Sequence, residues 1–365
     1  MYKPLTLFGW TLNWPVWQAL LLLLSGLLAG AAGLLAVLCC LVLSWLGGED
    51  DPASHGISVA QASRMGGSII AVFLLVNLFA NALNNPGQLA NFYPAGLLVV
   101  LGFYLLGLCE DLITDIPPLF RLIAMVVLAT VFVLAASHFA TLGGRVQPLL
   151  SQSALPAALL LVLSVFWLTL IPNAFNIADG ANGLIAGISL IVWMALIDIG
   201  AEQGLPILTW ELLLVATLLF LIPNLLLGRL FLGDGGAYLL GACVAVSVLT
   251  VAARAPELTL YLVALIFYPL MDLCWAVVRR LWAGRSPFVA DEGHLHNLLH
   301  NYLCRHFSAG AANSATGISI ALLFAGLPYL AAQQWGVSTI DWLLMLLLQG
   351  VIYLVLVAVL QPRTH

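Results

Sequence analysis

Apolar residues along this chain come in long unbroken runs, with little of the strict alternation that marks a half-buried strand. About eleven runs stand out, near 17–46, 66–84, 91–109, 119–139, 155–172, 183–200, 207–228, 236–252, 258–279, 316–333 and 340–360. Each approaches the roughly 20 apolar residues a helix needs to cross a bilayer. The pattern predicts an all-α polytopic membrane bundle of about eleven transmembrane helices, one integral-membrane domain over 1–365. The first run is too long, and its flanks are wrong, for a cleaved signal peptide. No low-complexity segment or convincing internal repeat interrupts the series.

Composition strengthens this reading. Of 365 residues 63% are hydrophobic and only 7% charged, with a mean hydropathy of +1.09, which excludes a water-soluble globular chain. The net charge of −5 says little in a membrane protein, where placement of charge matters more; no nucleic-acid partner is expected. Cys39, Cys40, Cys109, Cys243, Cys274 and Cys304 lie mostly inside apolar runs without Cys-x-x-Cys spacing, so they read as small hydrophobes.

The placement of charge orients the bundle. An odd number of helices puts the gaps after helices 1, 3, 5, 7 and 9 and the C-terminal tail on one face. That face holds Arg64, Arg121, Arg229, Arg279, Arg280, Arg285, Arg305 and Arg363; the other holds Lys3, Arg145 and Arg254. The asymmetry predicts a cytoplasmic C-terminus and an N-terminus outside.

The polar clusters fall on the same cytoplasmic face: "GGEDDPASHGISVAQASRMGG", "CEDLITD", "NAFNIADGANG", "GRLFLGDGG" and "RRLWAGRSPFVADEGHLHNLLH". Five distant loops converging there suggest one composite site at the membrane surface. Glu110, Asp111, Asp115, Asp179 and Asp234 all stand at or near helix ends. Carboxylate and amide oxygens without clustered thiolates suit a hard cation such as Mg²⁺, which keeps positions for water and substrate phosphates. Asp234, between glycines at the start of a helix, is a candidate ligand; simple N-capping is the alternative.

Arg285 can grip phosphate oxygens, and His294 and His296 can donate to the same group. A structural His-x-His remains open, whereas no third His or Cys stands at zinc spacing. In the "NAFNIADGANGL" stretch, Pro172 marks an expected break at the end of helix 5. If the segment beyond is helical, Asn173, Asn176 and Asp179 share a face. Asn176, Gly180, Gly183 and Gly187 form a small-residue stripe, which either admits a ligand or seats a neighbouring helix.

In combination, "NAFNIADGANGLIAG", "FLGDGGAYLLG" and "AGRSPFVADEGHLHNLL" resemble the polyprenyl-phosphate N-acetylhexosamine-1-phosphate transferases (glycosyltransferase family 4), over about residues 47–300. "GRSPF" resembles the undecaprenyl-phosphate GlcNAc-1-phosphate transferase branch more than phospho-MurNAc-pentapeptide translocase. The resemblance implies an acidic pair at Glu110 and Asp111, magnesium ligands at Asn176 and Asp234, and an Asn-x-x-Asp-Gly aspartate at Asp179. It implies substrate contacts from Arg285, His294 and His296, and an acidic position in helix 9 at Asp272. Asn173 and Gly183 join the substrate-binding candidates, and Asp111, Glu110 and Asp179 the catalytic ones. Several positions depart from the family pattern: Glu110, Asn182, Asn297, Ala290, Glu292 and Ser54 before His55.

The implied reaction moves a sugar-1-phosphate from a UDP-sugar to undecaprenyl phosphate and releases UMP, with Mg²⁺, or Mn²⁺ as an alternative, as cofactor. It would be the first membrane step of a surface polysaccharide such as O-antigen or capsule, at the bacterial inner membrane with the site facing the cytoplasm. A homodimer is left open. Two alternatives stand beside it: a transporter of lipid-linked substrates, and an inactive family member serving as a scaffold.

Overall fold

The structure, a computed structural model, describes residues 4–7, 10–15, 23, 24, 26, 27, 29–46, 63–84, 94–113, 116–143, 157–228, 230–287, 289, 291–334 and 338–361. The stretch 47–62 with Ser54 and His55, and also Asp115, Arg229 and Ala290, lie outside them.

The helices are α1 Gly30–Leu46, α2 Gly67–Asn84, α3 Pro94–Leu112, α4 Pro118–Gly143, α5 Ala157–Ala178, α6 Leu184–Gln203, α7 Leu208–Leu227 and α8 Gly233–Ala252. After them come α9 Thr259–Leu265, α10 Phe267–Trp282, α11 Leu295–Leu303, α12 Ala309–Ala321, α13 Leu327–Gln334 and α14 Thr339–Leu360. Among the described residues eight helical spans are long and apolar enough to cross a membrane, or nine if α9 and α10 form one. The chain is a polytopic helical membrane protein. One element departs from the all-α expectation: an antiparallel pair, β1 Pro4–Leu7 and β2 Trp10–Pro15, with Leu7 opposite Trp10.

Burial sorts the helices. Seventy-eight per cent of the α8 span is buried against 11% of the α4 span and 17% of α14. Helix α8 is the axis, packed against α2, α3, α5 and α6. Small residues allow the close approach: a Cβ on Gly67 would lie 2.2 Å from Gly236 Cα, and one on Gly107 2.5 Å from the Asp234 carbonyl carbon. By contrast α4 and α14 turn Ile123, Val127, Val131, Leu343, Leu347 and Val351 outward. Such exposed apolar faces are stable where lipid is the solvent.

The expected single span 258–279 is broken. Helices α9 and α10 meet at Ile266 with a 68° bend. Pro269 explains where: it has no N–H and its ring clashes with a preceding turn, so it sits in the first turn of a new helix, where amides need no intrahelical partner. A second irregularity, a π-turn at Leu322–Gly326, separates α12 from α13. Gln349 of α14 donates to a carbonyl at each, Ala264 at 3.1 Å and Phe324 at 2.7 Å.

Candidate active site

The ends of α3, α5 and α8 and the segment carrying His294 surround a cavity of about 1120 Å³. Glu110, Asn176, Asp179, Asp234, His294 and His296 contribute its polar lining, from four separate stretches of chain. Its apolar wall includes Val126 of α4 and Val162 and Phe166 of α5, all exposed on the outside of the bundle. The cavity therefore joins a polar floor to the lipid-facing surface between α4 and α5.

Backbone pairing seats Asp234. The Phe231 N–H donates to Ser63 O (2.8 Å), Gly66 to Phe231 O (2.9 Å) and Gly67 to Leu232 O (2.8 Å). Gly233 follows with φ +75°, and a Cβ there would stand 2.0 Å from the Arg64 carbonyl oxygen, so only glycine fits. Asp111, buried in α3, then accepts the N–H groups of Asp234 (2.9 Å) and Gly235 (2.8 Å). These are first-turn amides of α8, at the end of a helix that favours negative charge. The N-cap is Leu232, which has no capping side chain, and Asp234 lies inside the first turn and is not the cap. Asp111 satisfies the helix end, and the Asp234 carboxylate is left to the cavity. Arg121 of α4 bonds Glu110 and reaches Asp234 Oδ2 at 3.8 Å.

The "NAFNIADGANGL" stretch corrects one expectation. Pro172 does not end the helix; α5 runs through it to Ala178. The side chain of Asn173 donates to the Thr169 carbonyl (2.8 Å), supplying a local donor beside the turn that Pro172 disrupts. Asn176 lines the cavity with a buried, unpartnered Nδ2. Burial and then the nearby Asp234 carboxylate push Asp179 up to about 7.

Beyond Asp179 the loop is clamped. The Gly183 N–H donates to Asn224 Oδ1 (2.7 Å) and the Asn182 N–H to Asn313 Oδ1 (2.7 Å). Asn224 Nδ2 donates in turn to Leu230 O (2.7 Å), tying this loop to the one before Asp234. The glycine stripe is packed by the chain itself. A Cβ on Gly180 would lie 2.1 Å from His296 Nε2, on Gly183 2.7 Å from Leu225, and on Gly187 3.2 Å from Ala321. Asn176, Gly180 and Gly183 also line the cavity, so the stripe both packs against the chain and borders the space a ligand would take.

The two histidine rings stack at 5.3 Å. His296 Nδ1 pairs with the Tyr268 hydroxyl at 2.9 Å, and burial pushes its pKa down to about 4. His294 Nδ1 meets Asp272 Oδ2 at 2.6 Å, while Nε2 lies 3.3 Å from Asp291 Oδ1. Asp291 also accepts from Arg279 (2.9 Å) and stands 3.5 Å from Arg280 Nε. Burial alone would raise the Asp291 pKa; its bond to Arg279 and the surrounding positive charge hold it below the usual carboxylate range. Arg285 is exposed, outside the cavity lining, with its N–H on Arg280 O (2.8 Å).

Sequence reasoning did not give Arg121, Asp291, Asn313 or Tyr353 a part in this site. Asn224 is an amide inside the apolar run 207–228, a costly placement that marks a structural or functional demand. Asn313 and Tyr353 carry no local signal because their partners lie 131 and 81 residues away, whereas Arg121 and Asp291 pair with residues close in sequence whose geometry spacing alone did not give.

Residues 93–252 match the family model described as glycosyl transferase family 4. The decaprenyl-phosphate N-acetylglucosaminephosphotransferase of Mycobacterium tuberculosis is 30% identical over 292 residues, covering 71% of this chain and 70% of that protein. The chain belongs to glycosyl transferase family 4. Further family 4 relatives are the undecaprenyl-phosphate alpha-N-acetylglucosaminyl 1-phosphate transferase of Thermotoga maritima and a probable undecaprenyl-phosphate N-acetylglucosaminyl 1-phosphate transferase of Bacillus subtilis. The first is 29% identical over 68% of this chain and 70% of its own; the second is 25% identical over 72% of each. These names agree with the branch that "GRSPF" resembles. The stretch matched to the family 4 model contains Glu110, Asp111, Asn176, Asp179 and Asp234, and ends before Asp272 and His294.

Proposed function

We propose that the chain transfers a sugar-1-phosphate, of N-acetylhexosamine type, from a UDP-sugar to undecaprenyl phosphate, releasing UMP on the cytoplasmic side of a bacterial inner membrane. The observation that carries this reading is the cavity's two-sided character: an oxygen-rich floor suited to a phosphate–metal complex, continuous with an apolar wall that opens between α4 and α5. A water-soluble donor and a lipid acceptor need that combination. The family names of the relatives point to the same chemistry.

In the proposed reaction an oxygen of the lipid phosphate attacks the β-phosphorus of the donor. The bond to UMP breaks, and a lipid-linked sugar pyrophosphate remains. A phosphate monoester has its second pKa near ~6, so the nucleophile is already largely ionised at neutral pH. No side chain need remove a proton, and Asp111, occupied by two backbone amides, serves as a positioning residue for Asp234. Glu110, held by Arg121, stays beside the reacting phosphates as part of the charged floor. His294, His296 and Asp179 all line the cavity, the two rings as the proposed phosphate donors.

Among the described residues no three His, Cys, Asp or Glu side chains gather closely enough to hold a metal alone. A carboxylate from Asp234 and an amide oxygen from Asn176, both lining the cavity, suit Mg²⁺, which takes one or two protein oxygens and leaves the rest to water and phosphate. Asp234 and the side-chain carbonyl oxygen of Asn176 would hold it, with Mn²⁺ as an alternative; the buried, unpartnered Asn176 Nδ2 is a donor suited to a phosphate oxygen or water beside the ion. When bound, the ion supplies charge neutralisation for the donor pyrophosphate.

The test is reconstitution. The full chain in lipid nanodiscs is given undecaprenyl phosphate, Mg²⁺ and a panel of radiolabelled UDP-N-acetyl sugars. Lipid-linked label and stoichiometric UMP from at least one donor are expected. No product from any of them would overturn the proposal.

A further inference from the structure

Asp272 is completely buried in α10, and its carboxylate has a defined job for each oxygen. Oδ1 accepts the Tyr353 hydroxyl of α14 at 2.7 Å and the Leu295 N–H at 3.2 Å. Oδ2 is left for His294 Nδ1 at 2.6 Å. His294 and Asp291 both line the cavity, and the opposite ring nitrogen, Nε2, lies 3.3 Å from Asp291 Oδ1. Both nitrogens thus face carboxylate oxygens, an arrangement that a proton on each nitrogen would satisfy.

We propose that Asp272, itself fixed by Tyr353, is the positioning residue that holds His294 as a doubly protonated ring aimed into the cavity. Its donor Nε2–H meets a phosphate oxygen of the substrate in place of Asp291. The role rests on the transferase reading of the cavity, whereas the ring's protonation pattern does not. The last helix, remote in sequence from the acidic loops, thereby controls a phosphate contact. A buried carboxylate that orients an imidazole through its far nitrogen fixes both the ring's rotation and its proton.

An Asp272→Asn variant discriminates sharply. The Tyr353 and Leu295 donors keep the amide oxygen on their side, so the NH₂ group faces His294 Nδ1. Nδ1 must then accept, and the imidazolium is lost. The experiment uses the full chain in nanodiscs with ¹⁵N-labelled histidine, and His294→Gln to assign the ring. In the wild type both His294 nitrogens are expected to show proton-bearing shifts at pH 7. In Asp272→Asn, Nδ1 moves to the unprotonated range.

In the transferase assay Asp272→Asn is expected to raise the donor KM or lower kcat/KM by about tenfold to a hundredfold. The same substitution should add nothing in a His294→Gln background. Tyr353→Phe, which leaves the Leu295 bond, is expected to lose about tenfold or less and to shift the Nδ1 resonance, and it decides the matter should Asp272→Asn not fold. Unchanged His294 shifts in both variants would overturn the proposal, as would an undiminished effect of Asp272→Asn in the His294→Gln background. If no donor is turned over at all, the transferase reading fails while the resonance shifts still judge the Asp272–His294 pairing.

Discussion

Asp111 Oδ1 accepts the backbone N–H of Asp234 at 2.9 Å, across 123 residues of chain, while Oδ2 accepts the next amide at 2.8 Å. One carboxylate thereby seats another. Asp111→Asn leaves an amide NH₂ facing one of these N–H donors, so one charge-assisted bond becomes a clash of donors. A loss of about 1.5–3 kcal/mol is expected, read as a lowered melting temperature together with a fall in kcat larger than any change in KM for the lipid. Full activity and unchanged melting would show that the α8 terminus does not depend on Asp111.

Gly180→Ala tests whether the small-residue stripe is packed by the chain itself. The new methyl would stand 2.1 Å from His296 Nε2, whose ring is held on its other side by Tyr268. Overpacking of this kind costs about 1–3 kcal/mol, and displacement of His296 should weaken donor binding. Thermal melting and donor KM are the measurements; an alanine variant with wild-type values for both would mean an open groove.

His296 makes stability depend on pH. Burial lowers its pKa from 6.5 to about 4, so between those values the unfolded chain binds the proton that the folded chain refuses. Stability contributed by this group is complete above pH 6.5 and is lost as pH falls toward 4, by up to about 1.4 kcal/mol per pH unit inside the window. His300 shifts in the same direction, so the comparison is with His296→Gln. Melting curves from pH 8 to pH 5 should fall more steeply for the wild type than for the variant. Parallel curves would place His296 in a solvated position.

The membrane architecture was legible because a run of about 20 apolar residues has few stable fates other than a spanning helix. Each of the eleven expected runs contains helix in the described residues. Local exceptions were harder to read. Pro172 looked like a terminator, yet α5 passes through it, with Asn173 bonding back to Thr169. Pro269, which does break its span, had no such companion in the sequence pattern. At the site, Asp234 between glycines and the Asn176–Asp179 stretch stood out as candidates at helix ends, and the family resemblance assigned them roles. The positioning of Asp234 by Asp111, the loop clamp through Asn224 and Asn313, and the support of His294 by Asp272 and Tyr353 are contacts between distant helices. No periodicity encodes such contacts.

Glu110 and Asp234 are bridged by Arg121, which bonds the first and approaches the second at 3.8 Å. Arg121→Gln should leave the two carboxylates repelling each other with no cation between them. A fall in kcat of about tenfold or more is expected, partly restored by Arg121→Lys. Equal loss in both variants would point to packing as the role of Arg121.

The most direct measurement is product formation by Asp234→Ala in nanodiscs with Mg²⁺, undecaprenyl phosphate and whichever UDP-sugar the wild type turns over. Labelled lipid is expected to fall to background while the variant keeps a melting transition close to the wild type's, since Asp111 still secures the start of α8. Near-normal turnover would remove Asp234 from the reaction centre and contradict the assignment of this cavity as the transferase site.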